Sequence, residues 1–259
     1  IGNLNGSTYN ACGLFGRLGD GAVIENLTIA SGNLGGSYNT SIGAVAGEVI
    51  SGATVTIKNC HSYVTVSGTF GIGGILGSVE DGASVFIENC SNHGTVKASY
   101  TGGGIVGQSG PNRWKNNGAK AVITNCYNAG EISGSGSWGL GGIVGSSQFG
   151  SDGLLIEKCT FSGNILVQGS GDCIGGILGY ANYGVTIRDC ASTGQVYGAS
   201  GALYVGGILG YINSASFGGI TGCYATGKIS SGFGIGYIKL CGEYHLQQLL
   251  HDRNNALRR

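Results

Sequence analysis

The sequence has no methionine, one proline, and only 13 basic and 13 acidic residues among 259, so it is formally neutral. Its only basic cluster is Leu257-Arg258-Arg259, which excludes the electrostatic footprint of a nucleic-acid binder. No apolar run approaches the roughly 18 residues of a membrane-crossing helix, so membrane insertion is not expected. The chain opens on Ile1 with no basic segment and apolar run of a secretion signal, and the expectation is a processed fragment of a larger chain. Catalytic signatures are missing too. There is no H-E-x-x-H, no G-x-S-x-G and no C-x-x-C; the two histidines of "HLQQLLH", His245 and His251, stand six apart without the glutamate of a zinc site. Its many glycine phrases lack the following helix or Lys-Ser/Thr of a phosphate loop. No catalytic residue, metal or cofactor is therefore expected.

What the chain has is glycine, 55 residues of it, with Val and Ile as the main aliphatics. Collagen would keep a strict three-residue period with abundant proline, so the glycines instead mark bends and close backbone approaches in an all-β protein. The phrases "CGLFG", "GAVAG", "GGILG", "GGIVG", "GGIVG", "GGILG" and "GGILG" end at Gly16, Gly47, Gly77, Gly107, Gly145, Gly179 and Gly210. Steps of 31, 30, 30, 38, 34 and 31 residues are the mark of a solenoid.

A second phrase runs in phase with the first: "VTIKNC", "VFIENC", "AVITNC", "LLIEKC", "VTIRDC" and "GGITGC", ending at Cys60, Cys90, Cys126, Cys159, Cys190 and Cys223. An Ile stands three residues before each cysteine and a Val or Ile six after. Side chains alternate along a strand, so the Ile and the cysteine share the interior only if the chain turns between them. The residue before each cysteine (Asn59, Asn89, Asn125, Lys158, Asp189, Gly222) is the expected corner, with a further bend four residues after the cysteine. Each repeat then holds about three short strands. Helical periodicity is absent from the repeats, so the expected fold is a right-handed parallel β-helix of about seven three-stranded coils.

The first coil carries the same phrase, "AVIENL", with Leu27 in the cysteine column. A column that accepts Leu is apolar and interior, so the six cysteines are expected as a buried ladder of free thiols. Parallel Cβ vectors about 4.8 Å apart lie outside the disulfide range. Cys12, Cys173 and Cys241 fall outside the ladder.

Two segments depart from the repeat. The insertion "SGPNRWKNN" holds the only proline and Trp114, and is expected to project from the solenoid. The tail after Gly242 places Leu246, Leu249, Leu250 and Leu257 on one helical face, so residues 1–242 form the solenoid and 243–259 a capping helix over its last coil. Near each glycine phrase stand Phe70, Tyr100, Trp138, Tyr204 and Phe233 at similar offsets. Trp114, Tyr100, Trp138 and Tyr204 are the candidate ligand contacts. Glu25, Glu88 and Glu157 share one outer strand position with Lys58 and Arg188 nearby, a pattern of a solvated face.

The phrases "GLFG", "GGIVG" and "GGILG", together with "NCYNAGEISG" and "NCSNHGTV", resemble the GLUG-motif repeats over about residues 11 to 236. That resemblance implies a bacterial secreted or cell-surface β-solenoid, of the kind found in adhesins and in non-catalytic regions of surface peptidases. The function it implies is a non-catalytic stalk or adhesive module with a glycan or a host-surface protein as partner. The alternative is a carbohydrate-active enzyme on the same scaffold, which would gather acidic and basic groups in a groove.

Overall fold

The computed structural model describes residues 1–8, 11–36, 41–109, 118–135, 138–147, 153–169, 171–182, 184–199, 202–213 and 217–230. The insertion around Trp114, Phe233, Cys241 and the expected capping helix lie outside these residues. No helix occurs among the described residues.

The chain winds as a parallel β-solenoid. Each coil contributes one strand to each of five sheets, four sheets holding seven strands and one holding eight. Every pairing between coils is parallel, an arrangement consistent with right-handed winding. One coil shows the order: Thr65–Gly68 in sheet 1, Ile72–Gly73 in sheet 2, Leu76–Val79 in sheet 3, Ser84–Glu88 in sheet 4 and Ser91–Asn92 in sheet 5. The coil is thus five-stranded rather than three-stranded. Two corners make the difference: the glycine phrase folds back on itself between sheets 2 and 3, and the expected glycine bend four residues after the cysteine fully divides that stretch between sheets 5 and 1.

The corner before the cysteine has a plain backbone cause. Asn26, Asn59, Asn89, Asn125, Lys158, Asp189 and Gly222 all take the left-handed conformation, φ between 51° and 62°. This turn lets Ile57 and Cys60 both face the interior despite their opposite parity; each is 0% exposed. On its outer side the asparagines bond to one another from coil to coil, Asn59 Nδ2 donating to Asn26 Oδ1 (3.0 Å) and Asn89 Nδ2 to Asn59 Oδ1 (3.3 Å). The glycines four residues after the cysteines stack directly: a Cβ on Gly130 would strike the Gly94 carbonyl, one on Gly163 the Gly130 carbonyl, and one on Gly194 the Gly163 carbonyl.

The glycine phrase makes a narrow arch in which sheets 2 and 3 lie back to back. A Cβ at its first glycine, as at Gly73, Gly103 or Gly141, would overlap the carbonyl oxygen three residues on. At its last glycine, as at Gly145, a Cβ would reach the backbone of the preceding coil, where Gly102 lies. The middle glycine serves the other side of the coil. Gly74, Gly104, Gly142 and Gly176 leave the space filled by Asn92, Asn128, Phe161 and Ser192, each two residues past a cysteine. Among these, Asn128 is fully buried, donating to Gly142 O (2.9 Å) and accepting from Gly130 N (3.0 Å) and Asn92 Nδ2 (3.0 Å). Glycine abundance is therefore a packing requirement that recurs in every coil.

Candidate binding face and the cysteine column

The cysteine column runs up the interior at the corner between sheets 4 and 5. Cys60, Cys90, Cys126, Cys159 and Cys190 are fully buried, while Cys223 in the last described coil is half-buried. All described cysteines are free thiols. The backbone N–H of Cys60, Cys126, Cys159 and Cys190 donates to the sulfur of the next coil's cysteine at 3.3–3.4 Å. Each thiol in turn faces the carbonyl two residues before it, as Cys126 Sγ does Thr124 O at 3.3 Å. Hydrogen bonding to the neighbouring sulfur, followed by burial, raises Cys60, Cys126 and Cys223, and takes Cys190 up to about 12. Burial and the charge of Asp172 push Cys173 up to about 12. Those raised thiols hold little thiolate at neutral pH, whereas hydrogen bonds from the neighbouring thiols lower Cys90, to about 4, and Cys159; the cysteines of the column all pack as small interior groups.

The outer face at the open end of the glycine arch carries the aromatics. Phe70 and Tyr100 stack across adjacent coils with centroids 4.6 Å apart and planes at 9°. Trp138 extends this column by one coil, its backbone N–H donating to Tyr100 O (2.8 Å), and its side chain is 44% exposed. Tyr204 is not in that column. It pairs in register with Cys173, one position further along, and its ring leans on Tyr211 at 4.5 Å and 40°. Tyr211 in turn stacks over Tyr180 at 5.8 Å. The structure thus brings Tyr100 and Trp138 together, and sets Tyr204 in a second cluster on the same arch. Tyr180 and Tyr211 escape a reading based on offsets before the glycine phrase because they follow it; the aromatic after "GGILG" in both coils is their only sequence signal.

In the first pair Phe70 is buried and Tyr100 half-buried, one face of each ring being covered by the other. Trp138 offers a large exposed apolar surface, and Tyr204 is half-buried. Beside the aromatics, Gly71 N donates to Thr101 Oγ1 (2.8 Å), which donates to Gln108 Oε1 (3.0 Å), closing the arch with polar groups.

Charged groups gather at one place on the arch. Glu48 pairs with Arg17 (3.2 Å), and on the next coil Glu80 accepts a hydrogen bond from Ser78 Oγ (3.3 Å). Burial, followed by the charge of Glu48, pushes the Glu80 carboxyl up to about 7. The outer side of sheet 4 carries the pairs Lys58–Glu25, with both side chains exposed, and Arg188–Glu157, with the glutamate half-buried, both at 3.1 Å.

Among the described residues, no group of three or more His, Cys, Asp or Glu side chains is gathered as for a metal ion.

Neither the known family models nor the curated proteins contain a match to this chain. One solved structure is similar. It comes from Bacteroides ovatus and is named as a candidate immunoglobulin A1 protease; it is 20% identical, with a TM-score of 0.46. The match covers 90% of this chain and spans 60% of the length of that one.

Proposed function

We propose that the chain is a non-catalytic, secreted or cell-surface β-solenoid of the GLUG-repeat kind, acting as a stalk that carries an adhesive face. The observation behind this reading is the exposed indole of Trp138 on the same glycine arch as the Tyr180–Tyr204–Tyr211 cluster, held on a parallel β scaffold. Large rings on a preorganised surface contribute binding area at low entropic cost, and a glycan or a host-surface protein is the matching partner. The test is an array of glycans and surface proteins probed with the wild-type chain and with Trp138→Ala/Tyr204→Ala. Retention of a ligand by the wild type and its loss from the double variant supports the adhesive face. Equal binding by both removes it.

One observation favours the alternative of a carbohydrate-active enzyme. Glu80, raised towards a neutral carboxyl, stands near an ion-paired Glu48, the pattern of a general acid beside a carboxylate. Polysaccharide cleavage that vanishes in both Glu80→Gln and Glu48→Gln would establish it.

A further inference from the structure

A second cluster lies on a different face, on the outward side of sheet 5. His61 and Ser91 are direct partners in register on adjacent coils, and His93, just past the strand Ser91–Asn92, turns its ring to the Ser91 side chain. His61 Nδ1 lies 2.8 Å from Ser91 Oγ, and His93 Nε2 lies 3.1 Å from the same oxygen. A hydroxyl has one proton, so one imidazole N–H donates to it while it donates to the bare nitrogen of the other. Two nitrogens from separate coils are thereby aimed at one point. The orientation is held from outside: the His93 ring stacks on Tyr63 at 4.7 Å and 10°, and meets the edge of Tyr127 at 5.7 Å. The Tyr127 hydroxyl is anchored on Ser162 Oγ at 2.6 Å.

We infer that His61, His93 and the hydroxyl of Ser91 form a surface site for a late first-row divalent transition metal, Cu²⁺ by preference. For bonds of roughly 2.0 Å in the square-planar or tetragonal arrangement that Cu²⁺ takes, neighbouring ligands stand about 2.8–2.9 Å apart. The two oxygen-to-nitrogen edges, 2.8 and 3.1 Å, already approach that spacing. The remaining edge, between the nitrogens, is adjusted by the half-buried His61 ring, while the His93 ring keeps its stack on Tyr63. Solvent completes the coordination. Imidazole suits Cu²⁺, Ni²⁺ and Zn²⁺, and Cu²⁺ binds most tightly in that series. The stack on Tyr63 acts as the outer support that fixes ring direction in a metal site. The cysteine column cannot join this site, because Cys60 and Cys90 point to the interior and His61 and His93 outward. The inference is independent of the proposed adhesive face, which lies on the glycine arch.

The experiment starts from the full chain carrying His245→Ala/His251→Ala, so that the tail histidines do not contribute. Titration with Cu²⁺ should saturate a single site, and electron paramagnetic resonance should show coupling to two nitrogens. His61→Ala should leave one-nitrogen coupling and lose affinity beyond the roughly 10- to 100-fold expected for removal of an outer partner. Tyr63→Ala, which removes only the stack, should fall inside that range. His93→Phe keeps a ring on Tyr63 and removes the ligand, and should match His61→Ala while circular dichroism stays unchanged. Cu²⁺ binding that is equal in the starting chain and in His61→Ala/His93→Phe overturns the site, as does coupling to fewer than two nitrogens in the starting chain.

Discussion

The glycine arch can be tested by adding one methyl group at two places. At Gly141 a Cβ would overlap the carbonyl oxygen of Val144 and come within 2.8 Å of the amide nitrogen of Gly179 on the next coil. Both obstacles are backbone, so the arch must open. Opening loosens the bonds from Ile143 N and Val144 N to Ile177 O, both 3.0 Å, and the packing of Leu140, Ile143 and Val144, all fully buried. Two weakened hydrogen bonds at about 1 kcal/mol each and overpacking at about 1–3 kcal/mol give a cost of about 3–5 kcal/mol for Gly141→Ala. Gly52 is the control, with φ at 73° and nothing within 4 Å of an added Cβ. There the left-handed conformation costs about 1–2 kcal/mol, offset by about 0.4–1 kcal/mol from the stiffer unfolded chain, so Gly52→Ala should cost about 0–1.6 kcal/mol. Urea unfolding followed by circular dichroism measures both. Because coils couple chiefly to their neighbours, the Gly141→Ala transition should also broaden or split as the two halves melt apart. If the two variants are destabilised equally, with transitions of the same shape, the back-to-back packing of sheets 2 and 3 is wrong.

Three further outcomes are expected. In the native state, thiol labelling mapped by mass spectrometry should reach Cys223, half-buried at the last described coil, well before Cys126 or Cys159; equal rates would refute the interior column. Lys158 holds a left-handed corner where four other coils place asparagine, and its exposed pair with Glu157 at 3.7 Å is weak, so Lys158→Asn should raise stability by about 0.5–1 kcal/mol in thermal melts; a loss would mean that the lysine is favoured there for another reason. Glu80 has a folded value near 7, above the ordinary 4.5, so its stabilising contribution is complete below about 4.5 and is lost as pH rises through 7. Glu80→Gln should therefore gain on the wild type between pH 5 and pH 8, and a stability difference that does not change with pH contradicts the burial of that carboxyl.

The period, the parallel stacking, the interior cysteine column and the corner before it were all legible in the sequence. Each rests on local chemistry repeated at one spacing: an Ile and a cysteine of opposite parity require a turn, and Asn or Asp tolerates the backbone that makes it. Leu27 in the first coil was enough to mark the column as apolar. The number of strands was not legible, because the fold-back inside "GGILG" depends on two sheets touching, and a glycine in a string does not say which backbone approaches it. The partition of the aromatics was legible only in a one-residue difference: Trp138 stands seven residues before the last glycine of its phrase and Tyr204 six, and that residue of register sends them to different columns. His61 and His93 stand 32 positions apart, and nothing local links them. Only winding one coil onto the next, with its register set by the buried Val, Ile and Cys columns, aims both rings at the hydroxyl of Ser91.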